Sequence, residues 1–312
     1  MPEPARPGRS CPLHYRYAPS VFRRPAELKA DVLYVVGGLY GNTEALREVT
    51  RMAAEEPRDV RLVFNGDFNW FNADAESFAE INEGVLQHVA LRGNVETELA
   101  SDDSAHGCGC GYPEWVSEEM VERSNQITRV LRDTARRFPE LRRRLAALPM
   151  HLVADVGGER VAIVHGDAES LAGWSFSHET LSSVADPAGL ARHFHEADAH
   201  VFACTHTCLP VVKQVPLADT HGVIVNNGSA GMPNLRRTLC GLVTRIGTCP
   251  TKQASSFALR GRDVYIDLLR VEYDQRRWLG IFEKNWPSDS PAYLSYFDRI
   301  TQGPAFTGPI GV

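Results

Sequence analysis

The sequence predicts an α/β protein, and three features predict it. Short apolar, β-branched runs recur at 32–36, 61–64, 87–91, 151–155, 161–164, 200–203, 222–225 and 264–271, and their length and composition suit strands. Helical patterns lie between several of them, at 43–55, 74–85, 113–137, 139–148 and 187–196; such alternation belongs to α/β domains. Small polar turns follow five strand runs directly, where open α/β sheets keep their sites. They are Asn65-Gly66-Asp67, Arg92-Gly93-Asn94-Val95-Glu96, His165-Gly166-Asp167, Cys204-Thr205-His206 and Asn226-Asn227-Gly228-Ser229.

The first helix is expected to start at Thr43, with Glu44 and Glu48 near its positive end. Residues 1–28, rich in Pro and Arg, read as an irregular N-terminal arm whose stretch His14-Tyr15-Arg16-Tyr17 packs onto the body. The main domain is expected over 29–275. Within it, residues 100–150 interrupt the alternation with a cysteine-bearing loop and two helices, an insertion placed to cap a site. Residues 276–312, carrying Trp278, Phe282, Trp286, Tyr293 and Tyr296, read as a C-terminal extension packed on the domain. No repeat period is visible.

Composition narrows the function classes. The chain has 312 residues, 43% hydrophobic and 23% charged, ordinary for a soluble globular protein with a sizeable core. A net charge of −6 provides no global basic field, which argues against duplex nucleic acid as partner. No apolar run reaches membrane-span length, and the first thirty residues lack a signal peptide's apolar core, so a cytoplasmic protein is expected. Seven cysteines, an odd number in a long chain, point to reduced thiols rather than a disulfide framework.

In order and spacing, the polar turns resemble the blocks of the calcineurin-like metallophosphoesterases, nearest to small bacterial phosphodiesterase-type members. Gly41-Asn42-Thr43-Glu44-Ala45-Leu46 matches the end of the first block. Gly66-Asp67 matches the second, Gly93-Asn94-Val95-Glu96 the third, His165-Gly166 the fourth and Ala203-Cys204-Thr205-His206 the fifth; Asn226-Asn227-Gly228-Ser229 matches the turn that often follows. The resemblance covers about residues 31–270. It implies a four-layer α-β-β-α sandwich of two mixed β-sheets with the site at the strand ends. It also implies phosphomonoester or phosphodiester hydrolysis by two metal ions that share a bridging carboxylate and activate water for in-line attack.

Four positions depart from the family pattern. Gly38 stands in place of the first Asp, Tyr40 of the first His, Val95 of the His beside the leaving group, and Cys204 of the first His in the last pair. One metal would keep only Asp67 and His206. The other would keep Asp67, Asn94, His165 and Cys204, a carboxylate, imidazole and thiolate set that suits zinc. The resemblance therefore implies one divalent ion (Mn, Fe or Zn) rather than two, with Asp67, Asn94, His165 and His206 as the catalytic set. Tyr40, Asn42, Cys108 and Cys110 are the candidate substrate contacts, for a small phosphorylated substrate or nucleotide. Cys108 and Cys110 sit in a glycine-flanked loop, 106–111, that follows the third block.

Each of these residues has a plainer reading. Asp67 suits a turn, Asn94 a helix cap, and His165 a core histidine bonded to backbone. Tyr40 suits a space-filling ring, the 106–111 loop incidental thiols, and the arginines of 129–144 a solvated helix face. Trp174 suits either core packing or stacking on a base. Two rival functions follow: a catalytically inactive relative that binds a phosphate-containing ligand or a partner, and a metal or redox site built on Cys204 with Cys108, Cys110 or Cys208.

Overall fold

The computed structural model describes residues 6–184 and 187–312; the first five residues of the expected arm lie outside the described residues. Among the described residues, twelve strands form two six-stranded sheets. The first runs β1 (Leu28–Ala30), β5 (His151–Val156), β6 (Glu159–Val164), β7 (Val201–Cys204), β9 (His221–Asn227), β8 (Pro210–Pro216). The second runs β11 (Ser255–Arg260), β12 (Tyr265–Val271), β10 (Gly241–Gly247), β2 (Val32–Val36), β3 (Val60–Asn65), β4 (Val89–Leu91). Both are mixed. β2, β3 and β4 are parallel, as are β6, β7 and β9, whereas β10 runs antiparallel to β2, and β5 to β6.

Strand alternation separates the layers, because successive side chains face opposite sides of a sheet. Leu33 and Val35 of β2 meet Ile163, Ala203 and Val225 between the sheets. Tyr34 and Val36 face the other way, into a large core covered by helices that include α1 (Thr43–Ala54), α2 (Ala75–Val85), α4 (Glu118–Arg136) and α8 (Gln275–Asn285). On the far side of the first sheet, Ala162, Phe202 and Ile224 pack against Leu181 of α6 (His178–Ser183) and Phe194 of α7 (Ala188–Ala197). The result is the expected four-layer α-β-β-α sandwich.

Several elements differ from the sequence reading. The helix expected over 113–137 begins only at Glu118, because Ser117 caps it by accepting the Met120 N–H. A further helix, α3 (Asn94–Ala100), starts inside the third polar turn, whereas α5 (Pro139–Ala146) falls where the 139–148 pattern places a helix. In the C-terminal region, α9 (Pro291–Gln302) joins α8 on the large core, and Trp286 Nε1–H donates to the Phe71 carbonyl (3.0 Å).

The central strand β10 carries a fully buried arginine. Arg245 forms a bidentate pair with Glu56 (2.7 and 3.1 Å) and reaches Asp267 (3.4 Å) and the Cys249 carbonyl (3.0 Å). Removing it leaves Glu56, whose side chain is 2% exposed, without its counter-charge. Arg245→Ala is predicted to destabilise the protein by about 3–5 kcal/mol in urea unfolding, with Arg245→Lys recovering only part of the loss.

Candidate functional site

The parallel strands of the two sheets end on the same side, and their turns meet there. Asn65, the last residue of β3, ties the sheets together. Its Nδ2–H donates to the Val164 carbonyl (2.6 Å), and its own carbonyl accepts Nδ1–H of His165 (2.7 Å). A second tie runs through Asn227, whose Nδ2–H donates to the carbonyls of Gly37 (3.0 Å) and Leu242 (2.8 Å). Gly66 and Gly93 permit the contact. A Cβ on Gly66, which has a left-handed φ of +79°, would lie 2.4 Å from the Gly93 nitrogen. A Cβ on Gly93 would lie 2.3 Å from the Asp67 carboxylate.

Asp67, His165 and His206 are thereby brought together, fully or nearly buried, with one ligand-type atom of each within 4.8 Å of the others. The hydrogen bonds fix the rings. His165 spends its Nδ1–H on Asn65, so Nε2 faces the centre, 3.3 Å from Asp67 Oδ2, 3.3 Å from Asn94 Oδ1 and 3.2 Å from His206 Nδ1. His206 spends its Nε2–H on the Cys110 carbonyl (3.0 Å), so Nδ1 faces the same point. Four lone-pair atoms converge with no donor of their own, save a proton placed on His165.

The electrostatics follow from that crowding. Burial disfavours the His165 imidazolium, but the Asp67 carboxylate outweighs it and the net shift is upward. His206 is pushed down to about 4, by burial and by positive charge on His165. Burial also works against the Asp67 carboxylate, yet the two histidines and the Val95 N–H on its Oδ1 (3.1 Å) hold its pKa below the usual range.

Glu96 holds the Asp67 turn in place. Its carboxylate accepts N–H bonds from Asp67 (2.7 Å), Phe68 (3.1 Å), Gly93 (3.0 Å) and Asn69 Nδ2 (3.3 Å). Burial and the neighbouring Asp67 push its pKa up to about 7. The turn is conformationally expensive: Tyr40, Asp67, His206 and Cys208, all around the cavity here, have left-handed φ values of 37–62°. Such conformations cost about 1–3 kcal/mol each and cluster at functional sites.

The other sequence-predicted residues divide. Asn94 stands in the site, its Nδ2–H given to the Cys108 carbonyl (3.0 Å). Tyr40 lines the cavity, but its ring fills the space beside Gly38, where a Cβ would meet ring atoms at 2.8 Å, and its hydroxyl bonds to the Cys208 thiol (2.8 Å). Cys110 lines the cavity; Cys108 is buried beneath it in the large apolar core. Asn42 is not brought to the cavity. It caps α1 by accepting the Ala45 N–H and donates to the Gly231 carbonyl, so both ends of its amide are engaged. Cys204 is not brought to the centre either. Alternation along β7 turns its thiol into the apolar layer with Phe202 and Phe176, and burial pushes its pKa far up.

The cavity above the centre is small, about 50 Å³, and is walled by Trp70, Tyr112, Trp174, Met232 and Tyr296. Among the described residues no lysine or arginine lines it. A larger surface cleft of about 490 Å³, between α1 and residues 250–254, mixes acidic and basic side chains, with no histidine or thiol on it among the described residues.

Solved structures share this architecture. A hypothetical protein from Pyrococcus horikoshii superposes with a TM-score of 0.58 at 16% identity, covering 89% of this chain and 99% of its own. A metallophosphoesterase from Sphaerobacter thermophilus gives 0.54 at 16% identity, covering 88% and 100%. The chain has the metallophosphoesterase fold. No protein-family model matches its sequence, and no curated protein matches it.

Asn65 and Glu96 both stand in the polar turns of the sequence, but their supporting roles emerge only from the hydrogen bonds of the folded site. Glu96→Ala strands four buried donors, each costing about 1–3 kcal/mol when unsatisfied. The predicted loss is about 3 kcal/mol or more in chemical denaturation. Glu96→Gln is predicted to lose roughly half of that, because one amide nitrogen then faces N–H groups.

Proposed function

We propose that the protein is a metal-dependent phosphoesterase with a single-ion centre at Asp67, His165, His206 and the Asn94 side-chain oxygen. The observation that carries this reading is the convergence of four acceptor atoms on one point. Contacts of 3.2–3.3 Å are longer than the ~2.7–2.9 Å of a charge-assisted hydrogen bond. All three run from His165 Nε2, and each is close to the ~3.3 Å between two ligands that zinc holds at ~2.0–2.1 Å in tetrahedral geometry; the ligand atoms of Asp67 and His206 lie within 4.8 Å of each other. Carboxylate, two imidazoles and an amide oxygen suit zinc, manganese or iron, and the Asn65 and Cys110 carbonyls on the far ring nitrogens are the usual outer support of ligating histidines. A second ion lacks support, since Gly38 provides no ligand and the Tyr40 ring occupies that side.

A bound ion there supplies Lewis-acid stabilisation of phosphate charge and a water of lowered pKa. The chain's own residues then do three things. Asp67 and the two histidines orient the centre, the aromatic wall excludes water, and Asn94 offers its oxygen beside His165. With no lysine or arginine on the cavity among the described residues, phosphate charge would fall chiefly to the ion. Val95 provides no proton for a leaving group, an assistance typically worth ~10²–10⁴ in rate, so aryl esters should turn over best. The same two deficits favour a second reading, in which the cavity binds a phosphate-containing ligand without turnover.

Metal analysis and turnover decide between them. About one equivalent of metal per chain, with hydrolysis of an aryl phosphodiester or monoester, is the expected result, and Asp67→Ala should lose both. One equivalent without turnover would favour binding; no metal uptake from added zinc, manganese or iron would refute the centre. Because His165 would hold an ion only with its Nε2 unprotonated, apparent zinc affinity is predicted to fall about tenfold per pH unit below the upward-shifted pKa of that ring. Titrations between pH 5.5 and 8 would read this, and a flat profile would contradict it.

A further inference from the structure

The N-terminal arm lies across the loop that closes the cavity. The Gly8 N–H donates to the His106 carbonyl (2.9 Å), and the Gly8 carbonyl accepts the Tyr112 N–H (2.9 Å), so one residue brackets 107–111. Arg9 fastens the next stretch. Its guanidinium, on a side chain 5% exposed, donates to the carbonyls of Pro113 (2.7 Å) and Val116 (2.7 Å) and to the Glu118 carboxylate (2.9 Å). Asn125 of α4 clamps both partners, donating to the Pro7 carbonyl (3.3 Å) and accepting the Cys108 N–H (3.0 Å).

The bracketed loop has neither helix nor strand of its own and turns through left-handed Gly107, Gly109 and Gly111. Its contribution to the site is backbone, not thiol. The Cys108 carbonyl orients Asn94, and the Cys110 carbonyl accepts from His206 Nε2 and from Trp174 Nε1 (3.0 Å each). The bond to Cys110 decides which His206 nitrogen faces Asp67. Cys108 and Cys110 are buried in the large core, while the ends of the loop and the stretch after it are held from outside by Gly8 and Arg9.

We propose that Arg9 is a positioning residue for the metal centre: by holding the 106–116 loop, the N-terminal arm keeps the Cys110 carbonyl on His206 and so sets metal affinity. This rests on the single-ion reading above. Loss of the outer partner of a ligating histidine typically weakens metal binding 10–100-fold.

The test titrates zinc into metal-free wild type, Arg9→Ala and Arg9→Lys against a chromophoric chelator. Limited proteolysis of residues 101–117 is followed in the same metal-free proteins. The expected result is a zinc dissociation constant raised about tenfold or more in Arg9→Ala and less in Arg9→Lys, with faster loop cleavage in the same order. A merely structural role would lower the melting temperature and leave zinc affinity, measured well below melting, unmoved; that outcome overturns the proposal. If wild type takes no zinc, the metal reading fails and the affinity claim with it. The strap is judged separately by cleavage, and unchanged cleavage in Arg9→Ala overturns it whatever the metal result.

Discussion

The site depends on one hydrogen bond between the two sheets. By accepting Nδ1–H of His165, the Asn65 carbonyl at the end of β3 fixes the ring at the end of β6 and leaves Nε2 turned inward. The matching bond from Asn65 Nδ2 to the Val164 carbonyl closes the clamp. Once that ring is fixed, Asp67, Asn94 and His206 arrive around it from three other strand ends. Their convergence on one point is a consequence of sheet registry rather than of any local sequence. Placing so many acceptors together in a dry interior is unfavourable without a cation or a proton to share.

The fold meets that cost by over-determining the turns. Glu96 gathers the N–H groups of three backbone positions around Asp67, and the Asn226–Ser229 turn does similar work opposite. Asn226 Nδ2–H donates to the Thr205 carbonyl (2.8 Å), and Thr205 Oγ1 donates to the Gly228 carbonyl (2.9 Å). Left-handed Asp67 and His206 are held where a relaxed chain would not put them. The side of the site that carries no ligands is filled, not empty: the Tyr40 ring covers Gly38 and engages Cys208.

Much of this was legible in the sequence. Strand runs such as 32–36 and 222–225 announce themselves by β-branched composition, and the Gly-Asp and Gly-Asn turns after them mark the strand ends, because both glycines are sterically required. Other elements were hidden. β10 has an arginine in its interior and glycines at both ends, so neither alternation nor apolar run reveals it; the carboxylates that satisfy its charge, Glu56 and Asp267, come from other parts of the chain. Cys204 read as a ligand by alignment of position, but the pleat decides which way a strand residue faces, and here it faces the helices. Asn42 read as a site residue because it follows the strand, whereas its amide is consumed by the helix it starts. The sequence draws attention to the thiols of the 106–111 loop, whereas the loop meets Asn94 and His206 through its carbonyls, which no sequence pattern encodes.

The central claim is that these four acceptors surround one cation. Anomalous diffraction from a crystal grown with zinc, measured on both sides of the zinc edge, tests it most directly. The account predicts a single peak bounded by Asp67, His165 and His206, with Asn94 beside it. Two peaks, or a zinc ion bound elsewhere with these side chains closed on one another, would contradict it.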